Sequence, residues 1–161
     1  MNDYPFGPLF ERMDAYAERS GKEVVQQVAG TGFNGSHSRC FDFLPDDGMS
    51  ELYGKADLVV CHAGIGTILN CLERRIPMVL VPRTVVVRST DGTPDGQEEV
   101  AAKVEAMGRA VVLRDLKDLE VAIKAAEKLE IPPYQRNRDL EAFLSDLLRE
   151  LSEKKASGKP R

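Results

Sequence analysis

The sequence predicts an α/β domain of three layers, in which helices cover both faces of a mainly parallel sheet. Short apolar runs alternate with segments of helical periodicity along most of the chain. The strand candidates are continuous apolar runs, which is typical of parallel strands that are buried on both faces. The chain has 161 residues, enough for one domain with a substantial core.

The chain begins with a helical pattern rather than with a strand. Apolar residues recur at helical spacing over residues 9–20, and Ser20-Gly21 ends the pattern. Strand candidates follow at residues 23–28 and 40–44, separated by a polar loop rich in Gly, Thr and Asn. Pro45-Asp46-Asp47-Gly48 predicts a turn, and Ser50 is the predicted N-cap of a short helix that ends near residue 55.

A predicted βαβ unit over residues 57–82 is the centre of the sequence. Its first apolar run leads through His62-Ala63-Gly64-Ile65-Gly66-Thr67 into a helical pattern at residues 68–75, and residues 78–81 form the second run. Small residues between strand and helix leave main-chain N–H groups exposed at the helix N-terminus, where an anion can bind. The turn is therefore the first candidate functional site, although glycines there also suit close packing of helix on strand.

The remaining elements continue the alternation. A long connection over residues 83–96 has the composition of a loop. A helix is predicted at residues 98–107, a strand at 110–113, a helix at 116–129 and, after Pro132-Pro133, an amphipathic helix at 137–154. We expect one domain over residues 1–154 and a disordered basic tail at 155–161.

Composition excludes several classes of function. The net charge of −4 and the pI of about 5.3 argue against a nucleic-acid-binding protein. The three cysteines have no CxxC spacing and the chain has two histidines, so we expect buried free thiols in a reducing compartment and no zinc site. No apolar segment approaches the roughly 18 residues of a membrane span, and no signal-peptide pattern is present, which predicts a soluble cytoplasmic protein.

Several polar residues are predicted at the carboxyl edge of the sheet, where such domains bind ligands. His62 follows a buried strand, and it either contacts a phosphate or sugar, acts as a general acid or base, or fixes the turn. The amide of Gln97 suits hydroxyl groups such as those of a sugar, whereas Glu98 and Glu99 suit the helix dipole. Asn70 is either a surface residue or a polar group facing the cleft.

Residues 41–101 resemble the C-terminal, nucleotide-sugar-binding domain of family 28 glycosyltransferases. The resemblance runs through FDFLPDDGM, SELYGKADLVVCHAGIGTILNCL, PMVLVPR and DGQEEVA. It is greatest to the small catalytic subunits of two-part UDP-sugar transferases, of the dolichol-linked N-acetylglucosaminyltransferase or exopolysaccharide β-1,4-glycosyltransferase type. The resemblance implies a Rossmann-like fold, the C-terminal half of a GT-B enzyme.

The resemblance also implies roles for individual residues. The backbone near Leu44 would hold the uracil, and Asn70 stands where relatives often have a ribose-binding Glu. The implied diphosphate contacts are Gly64, Ile65, Gly66 and Thr67. Arg83 and Gln97 are implied contacts of the donor. The candidate catalytic residues are His62 and Glu99. Relatives commonly have a His where this chain has Gly96.

The implied activity is that of a donor-binding catalytic subunit in a heteromeric inverting glycosyltransferase. It would move GlcNAc, Glc or GlcA from UDP to a lipid-linked acceptor, while turn amides and the helix dipole stabilise the departing UDP. No cofactor or metal is implied. The implied partner is a membrane-anchored acceptor-binding subunit that would hold the protein at the inner membrane face. The last helix either docks that partner or packs on its own domain, and a homo-oligomer is also open.

One departure from the family leaves alternatives open. Relatives begin with an apolar strand and a Gly-Thr turn, and this chain lacks that usual first strand; a truncated start, a covering partner or altered packing would each account for it. The first alternative function is a non-catalytic nucleotide-sugar-binding or regulatory module. The second is an unrelated α/β domain for another phosphorylated ligand, although GxGxxG and Walker A motifs are absent.

Overall fold

The computed structural model describes residues 6–83, 96–133 and 144–149. The element order is α1 (Gly7–Ser20), β1 (Val25–Gln27), β2 (Arg39–Phe41), α2 (Asp46–Lys55), β3 (Val59–Cys61), α3 (Ile65–Arg74), β4 (Met78–Leu80), α4 (Gln97–Ala106), β5 (Ala110–Val112), a 3-10 turn (Leu116–Asp118) and α5 (Leu119–Ala126). Every predicted strand is present, four of them within their predicted bounds and β2 one residue earlier, and a helix follows each strand from β2 onward. The predicted α/β alternation is confirmed.

Helices α2 and α3 begin at least three residues earlier than the sequence predicted. The Pro-Asp-Asp-Gly segment expected to form a turn is the first turn of α2, with Pro45 at the N-cap, so Ser50 lies inside the helix. Asp46 and Asp47 suit that position because acidic side chains compensate the positive end of the helix dipole. Helix α3 begins at Ile65, directly after the N-cap Gly64, so Gly66 belongs to its first turn rather than to a preceding loop.

All described strand pairs are parallel, and they form two sheets. One sheet contains β1 and β2, and the other has the order β3-β4-β5. In the doubly wound order 3-2-1-4-5-6, the first strand lies between the second and the fourth. Among the described residues no strand joins the β1-β2 sheet to the β3-β4-β5 sheet, at the place that the first strand holds in the doubly wound order.

Strand β4 is the centre of the core, and its three residues are fully buried. Val79 and Val81 pack in one cluster with buried side chains of α1 and α5. Met78 and Leu80 point to the opposite face, because successive side chains alternate along a strand. The buried residues of α3 and α4 are outside the α1–α5 cluster, and we assign them to this second face. The arrangement gives the three predicted layers.

The chain divides into two compact units, Met1–Ile131 and Pro132–Arg161. The first contains all the described strands. In the second, residues 144–149 are helical, inside the predicted last helix, and Leu144 and Leu147 are buried. A single domain over residues 1–154 stays a prediction, and the predicted tail lies outside the described residues. Among the described helices, none is both long and apolar enough to cross a membrane.

Candidate functional site

The predicted site residues lie after β2, β3 and β4, in the first half of α3 and at the start of α4. Because parallel strands end at the same edge of their sheet, His62 and Arg83 follow neighbouring strands on one edge. The Gln97 side-chain oxygen accepts a hydrogen bond from the Arg83 main-chain N–H at 3.3 Å. The two ends of the long connection therefore meet, while residues 84–95 of the predicted loop lie outside the described residues.

The turn between β3 and α3 presents main-chain donors. The first hydrogen bond within the helix runs from the Ile68 N–H to the Gly64 carbonyl at 3.1 Å. The N–H groups of Ile65, Gly66 and Thr67 precede that bond, so the helix itself offers them no acceptor. No side chain caps this N-terminus, and Gly66 is exposed. Main-chain donors at an uncapped helix N-terminus are able to bind an anion, and binding here remains a prediction.

The His62 ring lies over Gly64. A Cβ atom added to Gly64 would lie 2.6 Å from His62 Nε2, so only glycine leaves room for the imidazole in this position. The ring also contacts Phe6, with 6.1 Å between ring centroids. His62 therefore fixes the turn against the start of α1 and stands beside the α3 N-terminus. A catalytic role for His62 remains a prediction.

Asn70 is held by polar contacts with its own helix. Its Nδ2 donates to the Gly66 carbonyl at 2.9 Å, and its Oδ1 accepts from Arg74 Nη1 at 2.9 Å. Arg74 Nη2 also donates to Ser50 Oγ at 3.1 Å, and its guanidinium carbon lies 5.7 Å from the centroid of the Tyr53 ring. Nothing in the sequence predicted Ser50, Tyr53 or Arg74 as residues near the candidate site. The i, i+4 spacing of Asn70 and Arg74 was a signal for one contact, but nothing local indicated the residues on α2.

Burial raises the pKa values of three side chains in or near α3, those of Tyr53, Cys61 and Cys71. Burial raises the pKa of the Tyr53 phenol, and an interaction with the Thr67 side chain acts in the opposite direction. Burial also raises the pKa of the Cys61 thiol, and that of Cys71 to about 12. Tyr53 therefore keeps its proton at neutral pH and remains a donor, and these two cysteines remain unreactive thiols.

The other predicted residues are exposed or near the surface. Leu44 follows β2 and lies next to Phe43, whose exposed fraction is 72%. Glu99 is exposed in the first turn of α4, where an acidic side chain compensates the helix dipole.

Gly96 is the N-cap of α4 and has φ of 74°, in the left-handed region. A histidine there would be strained, which is a physical reason for glycine at this position.

A metal centre and a surface cavity are two other kinds of candidate site. In the part of the chain that the structure describes, no three His, Cys, Asp or Glu side chains are grouped so that they could hold a metal ion. A cavity of about 370 Å³ lies between α1 and the loop before β2, lined among others by Asp14, Phe33 and His37. None of the predicted site residues lines that cavity, so we do not place the candidate site there.

Comparison with known proteins gives similarities in sequence and in structure. Residues 15–141 match the glycosyltransferase family 28 C-terminal domain. Over 98 residues the chain is 30% identical to the UDP-N-acetylglucosamine--N-acetylmuramyl-(pentapeptide) pyrophosphoryl-undecaprenol N-acetylglucosamine transferase of Halothermothrix orenii. This match covers 60% of the present chain and 25% of the relative.

A solved structure shares the fold. The crystal structure of the glycotransferase of kitacinnamycin superimposes with a TM-score of 0.59 and 20% sequence identity, covering 91% of this chain and 35% of that chain. The protein thus spans about a quarter of one relative and about a third of the other. This structural similarity supports the assignment of the fold as the Rossmann-like half of a GT-B enzyme. Since the family match extends over most of the sequence and includes the turn described above, the chain belongs to the glycosyltransferase family 28 C-terminal domain family.

Proposed function

We propose that this protein is the donor-binding, catalytic subunit of an inverting glycosyltransferase that moves a sugar from UDP to a lipid-linked acceptor. The observation that carries the proposal is the open N-terminus of α3, with main-chain donors at Ile65, Gly66 and Thr67, in a chain of family 28. A UDP-sugar brings a diphosphate, whose oxygens suit several such donors at once.

The same donors support the chemical step. When the bond between the anomeric carbon and UDP breaks, negative charge develops on the departing diphosphate. Main-chain N–H groups and the positive end of α3 are already oriented toward that charge, and they need no rearrangement during the reaction. A metal ion is not required for this form of stabilisation.

The remaining contacts are assigned to residues after the strands, in α3 and at the start of α4. Leu44 and the neighbouring exposed Phe43 provide an apolar surface for the uracil, and Asn70 contacts the ribose. Gln97 contacts the donor sugar, and its side-chain direction is set by the hydrogen bond from the Arg83 main chain. These assignments combine the positions of the residues with the family pattern.

Inversion needs a base that takes the proton from the acceptor hydroxyl while its oxygen attacks the anomeric carbon opposite UDP. His62 and Glu99 are the two candidates in this chain. His62 stands beside the donor turn, whereas Glu99 is exposed at the start of α4. The position of His62 makes it the first to test.

The acceptor side of the site is proposed to come from a partner. The printed name of the Halothermothrix orenii relative includes a pyrophosphoryl-undecaprenol group, which supports a lipid-linked acceptor, and that relative is much longer than the present chain. We propose a membrane-anchored acceptor-binding subunit, with this protein peripheral at the cytoplasmic face. GlcNAc, Glc and GlcA remain the candidate donor sugars.

A titration with UDP tests the donor site. We expect UDP to shift the amide NMR signals of Ile65, Gly66 and Thr67. Gly64→Ala should weaken UDP binding by about two- to tenfold, because an added Cβ would lie 2.6 Å from His62 Nε2 and would displace the imidazole beside the α3 N-terminus. Gly54→Ala is the matched control, since an added Cβ there meets nothing within 4 Å. Unchanged amide signals at millimolar UDP would exclude the proposal.

A non-catalytic nucleotide-sugar-binding or regulatory module is the second candidate function. It is favoured by the neutral Asn70 in place of a carboxylate, by Gly96 in place of a histidine and by the divided sheet. The two functions are distinguished by purifying the protein with its membrane-associated partner and measuring transfer of labelled sugar from UDP. Transfer that is lost in His62→Ala or Glu99→Ala excludes the module; UDP binding without transfer supports it.

A further inference from the structure

A group of polar contacts joins α2 to α3 beside the proposed donor site. We call it the Arg74 cluster; it consists of Ser50, Tyr53, Asn70 and Arg74. Tyr53 in turn interacts with Thr67, in the first turn of α3. The proposed function uses Thr67 and Asn70 and gives no role to the other three residues.

The guanidinium of Arg74 is held at two points. Arg74 is the last residue of α3, and its side chain reaches back toward the helix N-terminus, as long side chains on helices do. Nη1 donates to Asn70 Oδ1 at 2.9 Å and Nη2 donates to Ser50 Oγ at 3.1 Å. Because the guanidinium is a rigid planar fork, two acceptors on two helices define its orientation.

The partners of Arg74 among the described residues are uncharged. They are the Asn70 carboxamide and carbonyl, the Ser50 hydroxyl and the face of the Tyr53 ring. A surface arginine more commonly pairs with a carboxylate, as Arg19 does with Glu120 and Arg114 with Glu105. The contacts of Arg74 therefore serve to orient neutral groups, and Asn70 above all.

The hydrogen bonds of the Asn70 side chain determine how many donors and acceptors it can still offer to a ligand. A carboxamide has two N–H donors and two oxygen lone pairs. The Gly66 carbonyl takes one donor and Arg74 takes one lone pair. One N–H and one lone pair remain, and the carboxamide cannot rotate without breaking both existing bonds. A hydroxyl group, which donates and accepts, matches that remainder.

We propose that Arg74 is a positioning residue for the nucleotide subsite. It holds the Asn70 carboxamide so that the remaining N–H and lone pair meet a ribose hydroxyl, and Ser50 and Tyr53 hold Arg74. The inference rests on the proposed function, since it presupposes that a uridine nucleotide lies along this face of α3. It adds that recognition of the sugar hydroxyl depends on a residue that does not touch the ligand.

The experiment compares UDP with 2′-deoxy-UDP and 3′-deoxy-UDP by calorimetry. Wild-type protein should bind UDP more tightly than at least one deoxy analogue. Arg74→Met should lower that preference by about two- to tenfold, the range for one hydrogen bond, and leave the affinity for the disfavoured analogue nearly unchanged. Asn70→Ala should have the same effect, and the double variant should be no worse than Asn70→Ala, because both changes remove one interaction.

Two further variants make the result specific. Arg39→Met is the matched control: Arg39 is an exposed arginine on β2, 3.9 Å from Glu23, and its loss should leave the preference unchanged. Ser50→Ala removes one of the two acceptors that orient the guanidinium, so it should lower the preference by less than Arg74→Met does. It also provides a second variant if Arg74→Met is unstable.

The possible outcomes separate this inference from the proposed function. Equal loss of affinity for UDP and both analogues in Arg74→Met would mean a general structural effect and would overturn the inference, as would additive effects in the double variant. Wild-type protein that binds UDP without preferring it over either analogue would overturn the inference alone. Wild-type protein that binds no UDP would remove both.

Discussion

Asp14 of α1 accepts four hydrogen bonds from one segment of the loop before β2. The donors are the N–H groups of Ser36, His37 and Ser38, at 3.1, 3.0 and 2.8 Å, and the Ser38 hydroxyl at 2.6 Å. The Ser38 hydroxyl also accepts from the buried Gln26 side chain at 2.7 Å. One hydroxyl therefore joins the first helix, the first strand and the loop between the strands.

Ser38→Ala should lower the free energy of unfolding by about 1–3 kcal/mol, because it leaves a buried Gln26 donor with one partner fewer. Urea denaturation at neutral pH measures this. Ser36→Ala is the control: the loop segment is the same, but only the Ser36 main chain contacts Asp14. Equal effects of the two substitutions would contradict the role of the Ser38 hydroxyl.

The stability difference between wild type and Ser38→Ala should depend on pH. The hydrogen bond from Ser38 is the largest cause that holds the pKa of Asp14 below its ordinary value. A carboxyl with a lowered folded-state pKa stabilises the protein above its unfolded pKa, near 4, and this stabilisation is lost as the pH falls through the folded-state value. The difference should therefore narrow on acidification, and an unchanged difference down to pH 2 would contradict it.

Among the elements, β5 is at the edge of its sheet, and α4 covers part of that edge. Leu113 N–H donates to the Leu80 carbonyl of β4, so the neighbouring Val112 N–H points away from β4. Glu105 of α4 accepts from that N–H at 2.8 Å, and its other oxygen pairs with Arg114 at 2.5 Å. A carboxylate on an outward-facing N–H hinders pairing with a further strand.

Glu105→Gln should destabilise the fold by about 1 kcal/mol at neutral pH, because charge-assisted hydrogen bonds are replaced by neutral ones. Arg114 holds the pKa of Glu105 below its ordinary value. The difference in the free energy of unfolding between wild type and Glu105→Gln should therefore be present above the unfolded-state pKa of Glu105. It should disappear as the pH falls and Glu105 of the folded protein becomes protonated. Thermal unfolding at several pH values measures it. Glu130→Gln, at an exposed position, should change stability by less than about 0.5 kcal/mol; a similar loss there would contradict the assignment.

At the scale of the whole molecule, the two helical layers meet on β4. One face of this strand packs with α1 and α5, and its other face is turned to the remaining layer. The described strands form two separate sheets, β1-β2 and β3-β4-β5, so β4 is the only described strand with a neighbour on each side. Most of the first unit's stability should therefore depend on this strand.

Leu80→Ala should lower the free energy of unfolding by about 2–5 kcal/mol, the usual cost of a cavity at a fully buried leucine. Val121→Ala, on the outer face of α5 with 68% of the residue exposed, should cost less than about 0.5 kcal/mol. Denaturant unfolding measures both changes. A small effect of Leu80→Ala would show that the core is not organised around β4.

The sequence suggested the candidate site residues from local patterns, and their roles remain predictions; it did not indicate the contacts between them. The turn with Gly64, the residue His62 and the amide of Gln97 carry their signal in residue type and order, because a helix N-terminus and a strand end are local features. The Arg83–Gln97 hydrogen bond spans 14 residues of chain, and the Arg74–Ser50 contact spans 24. No local pattern encodes such contacts.

The sequence by itself determined the alternation of strands and helices, the parallel sheet and the glycine turn. Buried apolar residues recur with the period of the helix or strand that contains them, so the pattern can be recognised without the structure. It did not determine where α2 and α3 begin, because Pro, Asp and Gly are compatible both with a turn and with a first helical turn. Only the tertiary structure decided that the side chain of Arg74 joins α3 to α2 and that Ser38 joins three elements. These contacts depend on how the packed layers bring distant side chains within a few ångströms of each other.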